Sequence, residues 1–150
     1  MSWQAIFGAM NIWAMICWAA LILLPRKPAL MSALLYLGVM MLCFVYAAAL
    51  LSVIGGLVDP VGGKAQADFS SIEGVRAIFA SDGGVTIGWT HYLAFDLFVG
   101  IWIARDADAK EFSRFVQAPI LFATFMAGPV GLLLWLSIRE ARARALGRWN

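Results

Sequence analysis

The chain has 150 residues, 63% of them hydrophobic and only 13% charged, with a mean hydropathy of +0.84. A soluble domain of this size is about 45–50% apolar and about 25% charged, so the excess apolar surface requires lipid as part of the solvent. The net charge of +2 sits at segment ends rather than in a basic patch, which excludes a nucleic-acid-binding surface.

Runs of about 20 apolar residues cross a bilayer, and four can be read in chain order. The first covers 3–24 and stops at "PRKP"; the second covers 29–57; the third covers 85–104; the fourth covers 115–138. The head "MSWQAIFGAMN" carries no Lys or Arg and no cleavage site follows, so the first run reads as a span rather than a signal peptide. Cys17 and Cys43 lie in separate apolar runs and read as small hydrophobes.

The longest connection is 58–84. Within it "SSIEGVRAIFASDGG" places Ser70 and Glu73 at capping-box spacing, with Phe69, Ile72, Val75 and Phe79 at helical intervals and Gly83 as a stop. This predicts a short amphipathic helix at the membrane surface or over the bundle mouth. The fold class expected is an all-α integral membrane protein, with four transmembrane helices and that interfacial helix between the second and third. It forms a single domain over 1–150. No repeat or second domain is visible.

Four spans put both termini and the long loop on one side, with Lys64, Arg76, Arg139, Arg142, Arg144 and Arg148. Arg26, Lys27, Arg105, Lys110 and Arg114 fall on the other. Six against five is little bias for the positive-inside rule, and the tail "REARARALGR" tips the reading toward cytoplasmic termini. The Arg/Ala-rich tail and the absence of a transit peptide read as a protein of the bacterial inner membrane, with a processed organellar protein as the alternative.

Each span sorts into faces at about 100° per residue. On the third, His91, Phe95, Phe98, Trp102 and Arg105 share one side, with Tyr92, Asp96, Val99 and Ile103 on the next arc. Thr90, Leu93, Leu97, Ile101 and Ala104 lie opposite. The aromatic and ionisable half is expected to face protein and the plain half lipid. Weaker stripes on the other spans read as helix packing: Gly8, Asn11, Met15 and Trp18; Ser32, Tyr36, Cys43 and Tyr46; and Gln117, Thr124, Gly128, Gly131 and Trp135. Pro119 and Gly128–Pro129 are expected to bend the fourth span.

His91 is the only histidine, and Asp96 lies within the same apolar run. An ionised group at that depth costs from about 2.5 to more than 10 kcal/mol. Asp96 therefore belongs either to a polar clasp with Tyr92 or to a site flanked by His91. Arg105, Asp106 and Asp108 end the run as interfacial charges or as the mouth of that site. One histidine excludes multi-histidine oxygenases and paired haem ligation, and no metal site or cofactor is expected. No phosphate loop or nucleophile elbow is present.

The run "GWTHYLAFDLFVGIWIARD", Gly88 to Asp106, resembles the signature of the abscisic-acid-deficient-four-like family, and the likeness extends over nearly the whole chain. These are small four-span membrane proteins of bacteria, algae and plants; the plant members are required to make neoxanthin from violaxanthin. The resemblance implies a role in carotenoid or isoprenoid metabolism. Those two carotenoids are isomers, so the step needs no redox cofactor. A base and an acid suffice, for which His91, Asp96 and Arg105 are the candidates. Trp89, Tyr92, Phe95, Phe98 and Trp102 would wall the path of a long apolar substrate. The alternatives are a non-catalytic carotenoid- or lipid-binding protein, an accessory subunit working with another membrane enzyme or a second copy, or a purely structural partner.

Overall fold

The computed structural model describes residues 2–61 and 68–147; Lys64 and Arg148, both used in the charge comparison above, lie outside them. The described residues form six helices and no strand: α1 (Trp3–Leu23), α2 (Pro28–Ile54), α3 (Ile72–Ile78), α4 (Asp82–Ala109), α5 (Arg114–Met126) and α6 (Gly128–Leu146). Helices α1, α2 and α4 are long and apolar enough to cross a membrane.

Helix starts follow local chemistry. Ser2, Ser71 and Ser81 each accept a hydrogen bond from a first-turn N–H, and Pro28 opens α2 at a position where its missing N–H costs nothing. The expected cap Ser70 is displaced by one residue. Asp68 accepts from both the N–H and the hydroxyl of Ser70, holding it outside the helix, and Ser71 takes the cap. Gly83 is no stop signal: it is the second residue of α4, pressed against Pro60 and Trp3, where a Cβ would come within 2.9 Å of the Pro60 Cα.

The fourth expected span is not one helix. It breaks at Ala127 (φ −158°, ψ 85°), and α6 folds back antiparallel to α5. Gly128 lies against Asp96, while further along α6 Trp135 and Arg139 bond Asp106, and Arg142 bonds the Glu111 carbonyl. Asp96 and Asp106 are about 15 Å apart along α4 at 1.5 Å per residue, and α6 descends beside them. The reason for the turn is local. Pro129 lacks the N–H that a continuous helix would bond to the Phe125 carbonyl, and the Gly131 backbone packs directly on Thr124. Pro119 stays inside α5 without ending it.

Helix α4 lies against α1, α2, α5 and α6, and it presents the opposite face from the one expected. Thr90, Ala94, Leu97, Gly100, Ile101, Ala104 and Ala107 are buried, joined from the expected inner half by Ile103; His91, Tyr92, Phe95, Phe98 and Arg105 are exposed. Hydrophobicity does not choose the inner face where the outside is lipid; close backbone approach does, and it selects small residues. Gly100 shows this against α1: a Cβ there would meet the Trp18 ring at 2.3 Å. Trp18 is itself buried and cannot step aside, so Gly100→Ala is expected to cost about 1–3 kcal/mol. A lowered unfolding midpoint in detergent would register it, and an unchanged midpoint would refute the close contact.

The α2 stripe also fails, for a different reason. Ser32, Tyr36 and Cys43 are exposed, whereas Leu34, Gly38, Val39 and Leu42 are buried. Residues Leu34–Met40 form a π-helical segment, whose wider turn keeps residues four apart in line. Trp13 donates to the Leu37 carbonyl there at 3.0 Å. The stripe on α5 and α6 holds throughout: Gln117, Thr124, Gly128, Gly131 and Trp135 are all buried. On α1 Trp18 is buried and Met15 exposed.

The fold-back sorts the charges. Eight described cations (Arg26, Lys27, Arg105, Lys110, Arg114, Arg139, Arg142 and Arg144) gather at the end where α1 finishes and α4 finishes, leaving Arg76 alone at the other. The Leu146 end of the chain lies with them, opposite Trp3, so the two ends do not share a side.

Candidate functional site

A half-open groove of about 610 Å³ lies between the second half of α2, the connection with α3, and the first three turns of α4. Tyr46, Leu50 and Val53 form one wall, Ile87, Gly88 and His91 another, and Phe69, Ile78 and Phe79 the outer side. Two glycines make it. A Cβ on Gly84 would lie 1.7 Å from the Ile78 carbonyl oxygen, and one on Gly88 would lie 2.4 Å from the Phe79 ring. The Gly84–Gly88 pair thus seats the end of α3 on α4 rather than joining two spanning helices.

Ser81 lines one end of the groove, and from there the walls are apolar up to its inner end. There the His91 ring stands 5.5 Å from Tyr46, 4.6 Å from Phe95 and 6.1 Å from Tyr92, centroid to centroid. Tyr46 and Leu50 lie four residues apart on the α-helical part of α2 beyond the π segment, and both line the groove. Along α4, Ser81 to Tyr92 spans about 16 Å at 1.5 Å per residue.

The structure brings together only part of the set read from sequence. His91 and Tyr92 line the groove, and Phe95 packs on His91. Trp89 turns to α1, donating to Asn11 at 2.9 Å and stacking on Phe7. Phe98 is exposed, Trp102 lies under the Arg139 guanidinium at 5.7 Å, and Arg105 is exposed beyond it. Asp96 points away from the groove: its carboxylate accepts the Gly128 N–H at the tip of the α5–α6 hairpin. Of the two alternatives for Asp96, a clasp with Tyr92 or a site with His91, neither describes this contact. With Val130 and Gly131 donating to the Ala127 carbonyl, and Pro129 having no N–H, the first turn of α6 is satisfied. Tyr46, Leu50, Val53 and Phe79 were not read as site residues. The Gly84–Gly88 pair beside a short amphipathic helix was the signal for them.

A second polar cluster closes the opposite end. Asp106 accepts from Arg139 at 2.6 Å, Lys110 at 3.1 Å and Trp135 at 2.9 Å. Arg26 pairs with Asp108 at 3.0 Å, donates to the Ala104 carbonyl and bonds Gln117, which also bonds Asp108. Burial pulls the Arg26 pKa down from its ordinary value while Asp108 opposes the shift. No buried side-chain polar atom lacks a partner among the described residues, so this cluster reads as a clamp joining α1, α4, α5 and α6. Asp106 and Asp108 go to different cations, and no metal-binding group of His, Cys, Asp and Glu occurs among the described residues. Both cysteines are free.

The family model described as ABA4-like, ABA DEFICIENT 4-like, matches residues 5–135. The chain belongs to the ABA4-like family. The match takes in α1 through α5, the groove and the first turns of α6. Comparison with curated proteins and with solved structures found no match. Membership in the ABA4-like family points to carotenoid metabolism related to neoxanthin, and the apolar helices are those of an integral membrane protein.

Proposed function

We propose that this ABA4-like protein binds one end of a carotenoid or related isoprenoid in the α2–α3–α4 groove and moves a proton at that end through His91. The observation that carries the reading is the groove itself: apolar walls, half-open, with the only histidine of the chain at its inner end. The proposed host membrane is the bacterial inner membrane, with α3 at its surface as the outer wall of the groove. A 40-carbon polyene is about as long as the hydrocarbon core is thick, roughly 30 Å. A groove of about 16 Å along α4 takes one end and leaves the rest in lipid.

In this reading His91 accepts a proton from the polyene carbon beside the ring. The electron pair forms the allene, the epoxide C–O bond opens, and the oxygen takes up a proton as a hydroxyl. The product is an isomer of the substrate, so no redox partner enters. Tyr46 and Tyr92, flanking His91, supply hydroxyls for the oxygen, a role for which sequence reasoning nominated Asp96 and Arg105.

A second reading has support of its own. Asp96, the carboxylate nominated to pair with His91, is engaged with Gly128, which favours a carotenoid-binding or accessory protein handing its ligand to another membrane enzyme or a second copy. Expression in an epoxy-carotenoid-producing host separates the two. The catalytic reading predicts a new isomer in the pigment pool that disappears with His91→Ala while bound pigment remains. A bound pigment with an unchanged pool assigns binding alone, and a colourless protein in that host removes both.

A further inference from the structure

We propose that the molecule sits with its cationic end on the anionic surface of the cytoplasmic leaflet, so that the groove opens toward the opposite leaflet. Had residues 115–138 crossed the bilayer, Arg139, Arg142 and Arg144 would lie on the side of Arg76, giving four described cations there against five opposite. The fold-back returns them to the end of α4 and changes the comparison to eight against one. That return is fixed by contacts rather than by polarity: Arg139 on Asp106 at 2.6 Å and Arg142 on the Glu111 carbonyl at 2.6 Å.

Lys and Arg close to the ends of spanning helices set orientation by remaining in the cytoplasm, while acidic residues contribute little. The acids do not offset the asymmetry in any case. Asp106, Asp108, Glu111 and Glu140 lie at the cationic end, and Asp59, Asp68, Glu73 and Asp82 at the other, four against four. Lys27, Arg105, Arg114, Arg142 and Arg144 are exposed, free of the burial that holds Lys110. Each such cation near an anionic leaflet contributes about 1 kcal/mol. The partner of this surface is therefore a layer of anionic lipid headgroups.

The hairpin satisfies the condition for non-helical backbone within the hydrocarbon. Its broken backbone is bonded inside the protein, the Gly128 N–H by Asp96. Its tip reaches the level of Asp96, about 15 Å short of the cationic end, and the groove begins beyond it. Ligand entry from the opposite leaflet rests on the groove reading given above; the orientation does not.

Three single-cysteine variants, Glu73→Cys, Ala109→Cys and Ala145→Cys, in a background with Cys17 and Cys43 replaced by alanine, test it with a membrane-impermeant maleimide. The positions are exposed, on α3, at the end of α4 and near the end of α6. In intact bacterial cells stripped of outer membrane, position 73 is expected to label, and 109 and 145 to label only after permeabilisation. Labelling of 145 together with 73 means a fourth crossing and overturns the hairpin topology. Labelling of 109 and 145 with protection of 73 overturns the orientation. Ala80→Cys and Ala141→Cys serve where a first choice does not accumulate. Because maleimide reads position without any ligand, a failure here is distinct from a failure of the carotenoid assignment.

Discussion

Asp106→Ala is expected to lower stability by about 3–5 kcal/mol, the cost of leaving a buried ion pair without one partner. Asp106 is the acceptor shared by Lys110, Arg139 and Trp135, and the side chains of Lys110 and Arg139 are only 1% and 8% exposed. Neither cation can reach water without opening the contact between α4 and α6. A loss of that size is a large part of the 5–15 kcal/mol that holds a domain folded. The expected signs are a sharply lower unfolding midpoint in detergent and poor accumulation in membranes. Glu140→Ala is the internal comparison. Its partner Arg144 is 72% exposed, and such pairs contribute about 0–1 kcal/mol. Equal midpoints for the two variants would show that the buried cluster is no clamp.

Gly128→Ala strikes the hairpin from the other end. Its Cβ would stand 1.9 Å from Asp96 Oδ1 and 2.6 Å from Cγ, so the carboxylate must leave the Gly128 N–H. Overpacking together with the lost charged hydrogen bond is expected to cost about 2–4 kcal/mol. Asp96→Ala removes the same bond from its other side, and the two changes should therefore couple. In the Asp96→Ala background the additional effect of Gly128→Ala is expected to fall to less than half. Strictly additive midpoints would mean that Asp96 does not hold the tip.

The sequence made part of this legible and hid the rest for identifiable reasons. Three apolar runs became α1, α2 and α4 because length and composition suffice for that inference. The stripe from Gln117 to Trp135 was visible because small and polar residues in line mark contact in lipid. The same rule, applied to α4, would have chosen Ala94, Gly100, Ala104 and Ala107 over the aromatic side. The aromatic residues beside His91 and Asp96 resemble an inner face, yet Phe95 and Phe98 are exposed, where lipid accepts them readily. The α2 face was lost because a π segment changes the period, and no residue type announces one. Gly128–Pro129 signalled a break, but a bend and a fold-back differ only through partners distant in sequence, Asp96 at the tip and Asp106 at the base. Of the site, His91 was legible as a lone ionisable group at membrane depth. Its neighbour Tyr46 was visible only as packing, and the separation of Asp96 from it depends on the hairpin.

Pigment stoichiometry tests whether the α2–α3–α4 groove binds the proposed isoprenoid. Val53→Trp fills the groove, whereas Val130→Trp adds the same bulk at an exposed position on α6. Both proteins and the parent would be purified in mild detergent from one carotenoid-producing host, and the pigment bound per protein measured by absorbance. A loss of about tenfold or more in bound pigment is expected for Val53→Trp, with Val130→Trp matching the parent. Equal pigment on all three proteins would place the ligand elsewhere and contradict the groove assignment.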